Sequence, residues 1–208
     1  MILIGQYDSP FVRRVGIALT LYGLAFEHRP WSTFGDVEKI RPYNPLTRVP
    51  TLVLDDGEVL IESHSILDYL DSQMPAERRM FPAAQPARRH ALKVAALGTG
   101  IAEKAVSLFY EKVLHMEVSD VWDRRCRAQI SGALAALEKD RAARKTSYWF
   151  GDRIGHADIA VAAALRFIND AHASVISIAD FPALAAHSRQ HEAMPVFQTI
   201  AQKFIPPA

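Results

Sequence analysis

The chain has a single cysteine, Cys126, among 208 residues, which excludes an intrachain disulfide and any cysteine-built metal cluster. Cys126 lies in Arg124-Arg125-Cys126-Arg127, where positive charge can lower a thiol pKa. No base, acceptor or resolving thiol accompanies it, so a half-buried helical thiol is expected. Long apolar runs are also missing: nothing approaches the roughly 20 residues of a membrane span. Met1 to Ile4 is apolar but lacks a basic lead and stops at Gly5-Gln6, so a cytoplasmic protein without a removed leader is expected. An excess of either charge is lacking too. The 24 basic and 23 acidic residues leave a net charge of +1, which gives no long-range field to gather nucleic acid or an anionic membrane. Neither partner is expected. No fixed repeat or low-complexity tract is visible.

What is present is a globular composition, half of it hydrophobic, at a length that suits one large domain or two small ones. Ile2-Leu3-Ile4 is a short apolar run of strand type. Ser9 and Pro10 read as the cap and first residue of a helix whose apolar positions recur from Val12 to Tyr22, with Gly23 as its C-terminal stop. Phe26 to Arg29 reads as a second strand, parallel to the first, ended by Pro30. Trp31 to Tyr43 reads as a loop with a short irregular helix. Thr51 to Leu54 and Val59 to Ile61 form a hairpin in which Asp56-Gly57 supplies positive φ. Ile66, Leu67, Tyr69 and Leu70 mark one face of a helix that ends near Met74-Pro75. The layout is βαβαββα, a thioredoxin-like α/β domain over residues 1–76.

Pro75, Pro82 and Pro86 punctuate a stretch of little periodicity, and 77–86 is read as a linker. Residues 87–208 turn to alanine-rich helix, an all-α bundle. One or two helices are expected from Arg88 to about Met116, with Gly98 and Gly100 permitting close packing or a bend. Ser119 is expected to cap the next helix, which carries Cys126, Ile130, Leu134 and Leu137. Pro182 and Pro195 suit the first turns of two later short helices. In Ile154-Gly155-His156-Ala157-Asp158-Ile159 an acidic residue can fold back on the cap N–H while the two isoleucines staple the entry. His187 and His191 share a helix face, but no glutamate follows the first as in a zinc protease motif, so both are read as solvated.

The residues with chemical meaning cluster early. Pro50 cannot donate to a strand ladder and belongs at a strand mouth. A cis Val49–Pro50 bond would present the backbone of Val49 as an edge for an extended peptide-like ligand. Glu62-Ser63 opens a helix, which places a hydroxyl and free backbone N–H groups where a carboxylate can bind. Ser9, at the dipole-positive end of the first helix, can donate a hydrogen bond to a thiolate. Tyr7, two residues upstream, is its rival as thiol donor.

Together Ser9-Pro10-Phe11, Asn44-Pro45-Leu46-x-Arg48-Val49-Pro50 and Glu62-Ser63 resemble the glutathione-binding half of a cytosolic glutathione transferase, of the bacterial, serine-type kind. The likeness covers the whole chain in length and layout, and its sharp motifs lie in the first seventy residues. The 154–159 segment resembles the family's helix-capping motif, although Gly155 stands where serine or threonine is usual. The resemblance implies glutathione as co-substrate and no metal. Ser9 or Tyr7 would stabilise its thiolate, Val49 beside Pro50 would pair with the cysteinyl unit, Arg48 would take the glycyl carboxylate, and Glu62 with Ser63 the γ-glutamyl end. A small apolar electrophile would sit against Phe11, Phe109 and Tyr110 between the domains. A homodimer through the helical domain is implied, with detoxifying conjugation as the activity. The family also contains non-catalytic binding modules and glutathione-dependent isomerases and peroxidases, which the motifs do not separate. Where many relatives place an acidic residue that reaches the partner's ligand, this chain has Thr99, with Glu103 one turn on. Serine in place of cysteine at position 9 excludes disulfide exchange there.

Overall fold

Four strands of three residues each build the N-terminal sheet in this computed structural model, which describes residues 1–206. They are β1 (Ile2–Ile4), β2 (Glu27–Arg29), β3 (Thr51–Val53) and β4 (Val59–Ile61), in the order β2-β1-β3-β4. β1 runs parallel to β2 and antiparallel to β3, and β3 is antiparallel to β4. With helices α1 (Pro10–Tyr22), α2 (Val37–Ile40) and α3 (Ser63–Ser72) the chain order is βαβαββα. Side chains alternate across a strand, and the core follows that alternation. Leu3 and Leu52 pack under α1 and α3 with Val15, Leu19, Ile66 and Leu70, whereas Ile4 and Val53 meet Ile40 of α2 on the other face.

The local signals account for the element ends. Ser9 caps α1, its Oγ accepting from the Val12 N–H at 3.4 Å, with Pro10 in the first turn. Gly23 closes the helix at φ 68°, a left-handed conformation that glycine adopts without a Cβ penalty. In the β3–β4 hairpin positive φ falls on Gly57 alone (φ 90°) and not on Asp56. The turn therefore needs one left-handed residue rather than two. Val49–Pro50 is cis, as is Gln85–Pro86.

The segment after α3 makes a 3-10 turn (Ala76–Arg78) and is tied down by Asp71. The Asp71 carboxylate accepts from the Met80 and Phe81 N–H groups at 2.7 and 3.1 Å and from the Tyr22 hydroxyl at 2.7 Å. Burial works against its ionised form, but hydrogen bonds from His156, Tyr22 and the Met80 N–H prevail and hold the carboxyl at about 2. Desolvation lowers the proton affinity of His156, fully buried beside it, against the pull of the Asp71 carboxylate.

The helical half comprises α4 (Ala87–Leu114), α5 (Asp120–Ala142), α6 (His156–Ala171), α7 (Pro182–Glu192) and α8 (Pro195–Thr199). α4 is one continuous helix, and Ser119, Pro182 and Pro195 start α5, α7 and α8 as their residue types suggest. α6 is buried along nearly its whole length. It lies so close to α4 that a Cβ on Gly98 would stand 3.0 Å from the backbone of Ala160 and Val161, whereas Gly100 faces open space. Gly155 has no side chain to cap with, so only half of the box forms. Asp158 Oδ2 accepts from the Gly155 N–H at 2.9 Å and Oδ1 from the Trp149 N–H at 2.8 Å. Desolvation raises the Asp158 carboxyl to about 6 against those two bonds.

Two expectations fail here. His187 and His191 are buried rather than solvated. Their face of α7 packs under Trp149 and Phe197 instead of facing water, which the four-residue spacing of one pair cannot reveal. Cys126 is fully buried in the helical core, and burial pushes its thiol pKa up despite the arginines around it in sequence. No helix among the described residues is long and apolar enough to cross a membrane.

Candidate functional site

The two halves are fastened by Arg13, which lies one turn into α1. Its guanidinium meets Glu192 in a bidentate pair at 2.7 and 2.8 Å and also donates to the carbonyls of Ile200 (2.9 Å) and Phe197 (2.8 Å). Ile159 and Ala162 of α6, with Phe197 and Ile200, complete the core that α1 and α3 begin. This docking leaves a cleft of about 760 Å³ between the first turn of α1, the loops around residues 31–35 and 47–49, α4, α6 and the terminal residues 204–206.

Ser9 lies on the cleft wall. Its Oγ has one acceptor bond, to the Val12 N–H, so its hydrogen is available to a ligand at the positive end of α1. Phe11, Phe109 and Tyr110 line the same cleft. So do Trp31, Phe34, Phe167 and Phe204, which the sequence did not single out. Phe109 meets Phe204 edge-on at 5.0 Å and Phe34 meets Tyr110 at 5.4 Å. Asp8 is the acidic group in the lining, with Oδ2 accepting from the Ile205 N–H at 3.2 Å, and desolvation raises its carboxyl. Tyr7 is placed differently. Its ring stacks on His28 at 3.8 Å and packs against Gly16 of α1, it is not part of the cleft lining, and burial drives its hydroxyl up to about 12.

The 44–50 loop is held from within. Asn44, 1% exposed, donates to the Arg48 carbonyl at 2.9 Å and to Thr51 Oγ1 at 3.1 Å, and accepts from the Leu46 N–H at 3.0 Å. Buried amides of this kind rigidify a loop only when each group finds a partner. Arg48 and Val49 reach the cleft, while Pro50 is buried behind them. Glu62 and Ser63 are outside the cleft lining but adjoin it. Arg48 Nη1 lies 3.0 Å from Glu62 Oε1, and Ser63 is the first residue of α3. Glu62 precedes that helix at φ 65°, ψ 121°, a region costly for a side-chain-bearing residue, and makes no capping bond. Thr99 Oγ1 meets His64 Nε2 at 3.0 Å beside this helix start.

Asp158, His187 and His191 bring one potential metal-ligating atom each within 4.8 Å of one another. Each of the three is tied to backbone through one group, while His187 Nδ1 and His191 Nε2 have no partner among the described residues. The Asp158 carboxylate is taken by two backbone N–H groups, His187 Nε2 bonds the Asp158 carbonyl and His191 Nδ1 the His187 carbonyl. Desolvation lowers the proton affinity of both imidazoles, to about 3 for His187, and the nearby Arg141 charge adds to this. That cation opposes a second one.

A thioredoxin-like half docked on a helical half has counterparts among known proteins. The model of the glutathione S-transferase N-terminal domain matches residues 3–78 and that of the C-terminal domain residues 119–190. Glutathione S-transferase Z2 of Arabidopsis thaliana is 30% identical over 212 residues, covering 94% of this chain and 88% of that one. Maleylacetoacetate isomerase of Mus musculus is 25% identical over 204 residues, covering 95% and 90%. The solved glutathione S-transferase of Methylobacterium radiotolerans, in complex with glutathione sulfonate, superimposes with a TM-score of 0.89 at 28% identity, over 100% of this chain and 98% of that one. This chain belongs to the glutathione S-transferase family.

Proposed function

We propose that the chain is a serine-type glutathione transferase: it binds glutathione as co-substrate and directs the thiolate at a small apolar electrophile. The observation that carries this reading is Ser9 Oγ, which caps α1 on the cleft wall with its hydrogen uncommitted. A free thiol has a pKa of about 8.5. Each unit by which it is lowered requires about 1.4 kcal/mol of preference for the anion, which a charge-assisted hydrogen bond and a helix dipole together supply. No general base is required. Arg48 takes the glycyl carboxylate, Val49 beside Pro50 pairs with the cysteinyl backbone, and Glu62 and Ser63 hold the γ-glutamyl end. Phe11, Phe109 and Tyr110 face the electrophile. The bound glutathione sulfonate of the Methylobacterium relative supports the ligand.

The same proposal includes a glutathione-binding domain of residues 1–76, a linker of 77–86 and a helical domain of 87–208, whose residues 207–208 lie outside the described ones. It also includes a cytoplasmic homodimer paired through the helical domain.

The mouse relative favours a second reading, glutathione-dependent isomerisation. The substrate in that relative's name is an organic anion. This cleft is lined by Asp8, by seven aromatic side chains and by one cation, Arg48, already paired with Glu62. That lining suits an uncharged electrophile better. Retention on glutathione-agarose, followed by assays with a chlorinated nitroarene, an organic peroxide, an epoxide and maleylacetoacetate, separates the readings. Conjugation of the nitroarene is the expected result. Turnover confined to maleylacetoacetate replaces it with isomerisation, and binding without any turnover reduces the protein to a binding module.

A further inference from the structure

Asp8 precedes Ser9 and lines the same cleft. Its Oδ2 accepts from the Ile205 N–H at 3.2 Å. Phe204, the residue before Ile205, meets Phe109 at 5.0 Å and Phe167 at 5.6 Å, both edge-on. The carboxyl therefore sits against an aromatic wall. The arginines around it are engaged elsewhere: Arg166 with Asp170 at 2.7 Å and Glu192 at 3.1 Å, Arg13 with Glu192, and Arg48 with Glu62. No ion pair reaches Asp8 among the described residues. Burial and, after it, the charge of Asp170 raise the Asp8 carboxyl against the backbone N–H groups that bond it. Burial and then the charge of Asp8 raise the Tyr110 hydroxyl on the cleft wall, so the field of Asp8 extends into the cleft.

We infer that Asp8 selects the electrophile, favouring an apolar body that carries a hydrogen-bond donor, and a protonated amine above all. This rests on the transferase reading above and deepens it by naming the substrate class. A carboxylate taken from water without a counter-charge is costly, and an ionised one only accepts hydrogen bonds. A donor on the ligand supplies what the protein withholds. An ammonium does so with charge, and the faces of the surrounding rings attract it as well. A ligand carboxylate meets like charge at the same place, and a hydrocarbon tip gains nothing from Asp8.

The test uses para-substituted benzylideneacetones, to which glutathione adds by forming one S–C bond at the β-carbon while the thiol proton ends on the α-carbon, with no leaving group. The para group is methyl, hydroxymethyl, dimethylaminomethyl (an ammonium at neutral pH) or carboxymethyl, and each kcat/KM is divided by the uncatalysed rate with the same compound. Wild type is expected to prefer the ammonium to the methyl compound by about tenfold or more, the value of a charge-assisted hydrogen bond, with hydroxymethyl between them and carboxymethyl last. In Asp8→Asn the ammonium-to-methyl ratio falls toward unity while part of the hydroxymethyl preference remains, and in Asp8→Ala both are lost. Should Asp8→Ala not fold, Asp8→Asn, which keeps an oxygen for the Ile205 N–H, carries the comparison. A wild type that accelerates all four additions without this ranking, or a folded Asp8→Asn that keeps it, overturns the role of Asp8 and leaves the transferase reading standing. Acceleration of none of the four by wild type overturns both.

Discussion

Arg48 Nη1 and Glu62 Oε1 meet at 3.0 Å across the space between the 44–50 loop and the start of α3, with more than half of each side chain exposed. An exposed pair of this kind contributes about 0–1 kcal/mol to stability, so it has little part in holding the fold. Its charges face the side of the molecule where the proposed ligand's zwitterionic ends would lie. Arg48→Ala and Glu62→Ala are expected to leave the melting temperature nearly unchanged and to weaken glutathione roughly tenfold each. A large loss of stability without loss of affinity, read by calorimetry and thermal unfolding together, refutes the assignment.

Glu62 gives a sharper version of that test because its backbone sits at φ 65°. Glycine visits such conformations without a Cβ clash, and relief of a strained residue is worth about 1 kcal/mol. Glu62→Gly is therefore expected to raise the urea midpoint while lowering affinity for glutathione. Stability and binding moving in the same direction contradicts the view that strain is retained there for the ligand.

Ser9 and Tyr7 differ in what their hydroxyls face. Ser9→Ala is expected to raise the pKa of bound glutathione by about 1–2 units and to lower kcat/KM about 10- to 100-fold, the worth of one charge-assisted hydrogen bond. The pH profile of kcat/KM moves to higher pH accordingly. Tyr7→Phe keeps the ring on His28 and is expected to change turnover little. Following the ultraviolet thiolate band across pH in both variants decides the matter, and a silent serine variant with a dead tyrosine variant reverses the roles.

Asp71 ties acid stability to the segment between the two halves. Its folded pKa, about 2, lies below the ordinary 3.8. The folded state therefore binds fewer protons than the unfolded one between those values, and stability falls as pH drops through that window. Asp71→Asn is expected to flatten this acid limb of the unfolding curve and to lower stability at neutral pH. An unchanged acid limb shows that another carboxylate carries it.

Asp158→Ala leaves the Trp149 and Gly155 N–H groups without their acceptor, at about 1–3 kcal/mol for each buried donor. A loss of about 2–6 kcal/mol in denaturant unfolding is expected, with glutathione affinity little changed in whatever fraction remains folded.

The elements that could be read from the chain are those whose cause is local. Ser9-Pro10 and Gly23 delimit α1, Ser119, Pro182 and Pro195 start three later helices, and Asp158 reaches back three residues to Gly155, all through contacts within one helical turn. The βαβαββα order and the order and spacing of the early motifs followed from the same scale. The aromatic cleft wall did not. Trp31, Phe34, Phe167 and Phe204 come from separated segments, and no periodicity within one of them says which ring another will meet.

The amino-acid sequence by itself determined where helices and strands begin and stop, that a serine stands at the positive end of α1, and that no disulfide can help hold the chain. Folding decided the rest through contacts between residues far apart. His187 and His191 left water because α7 packs down on Trp149 and Phe197. Arg13 found its carboxylate 179 residues away, while Arg14, one position along, reached only Ser63 among the described residues. Burial and partnership are properties of surroundings assembled in three dimensions, and two adjacent arginines of identical chemistry acquired opposite surroundings.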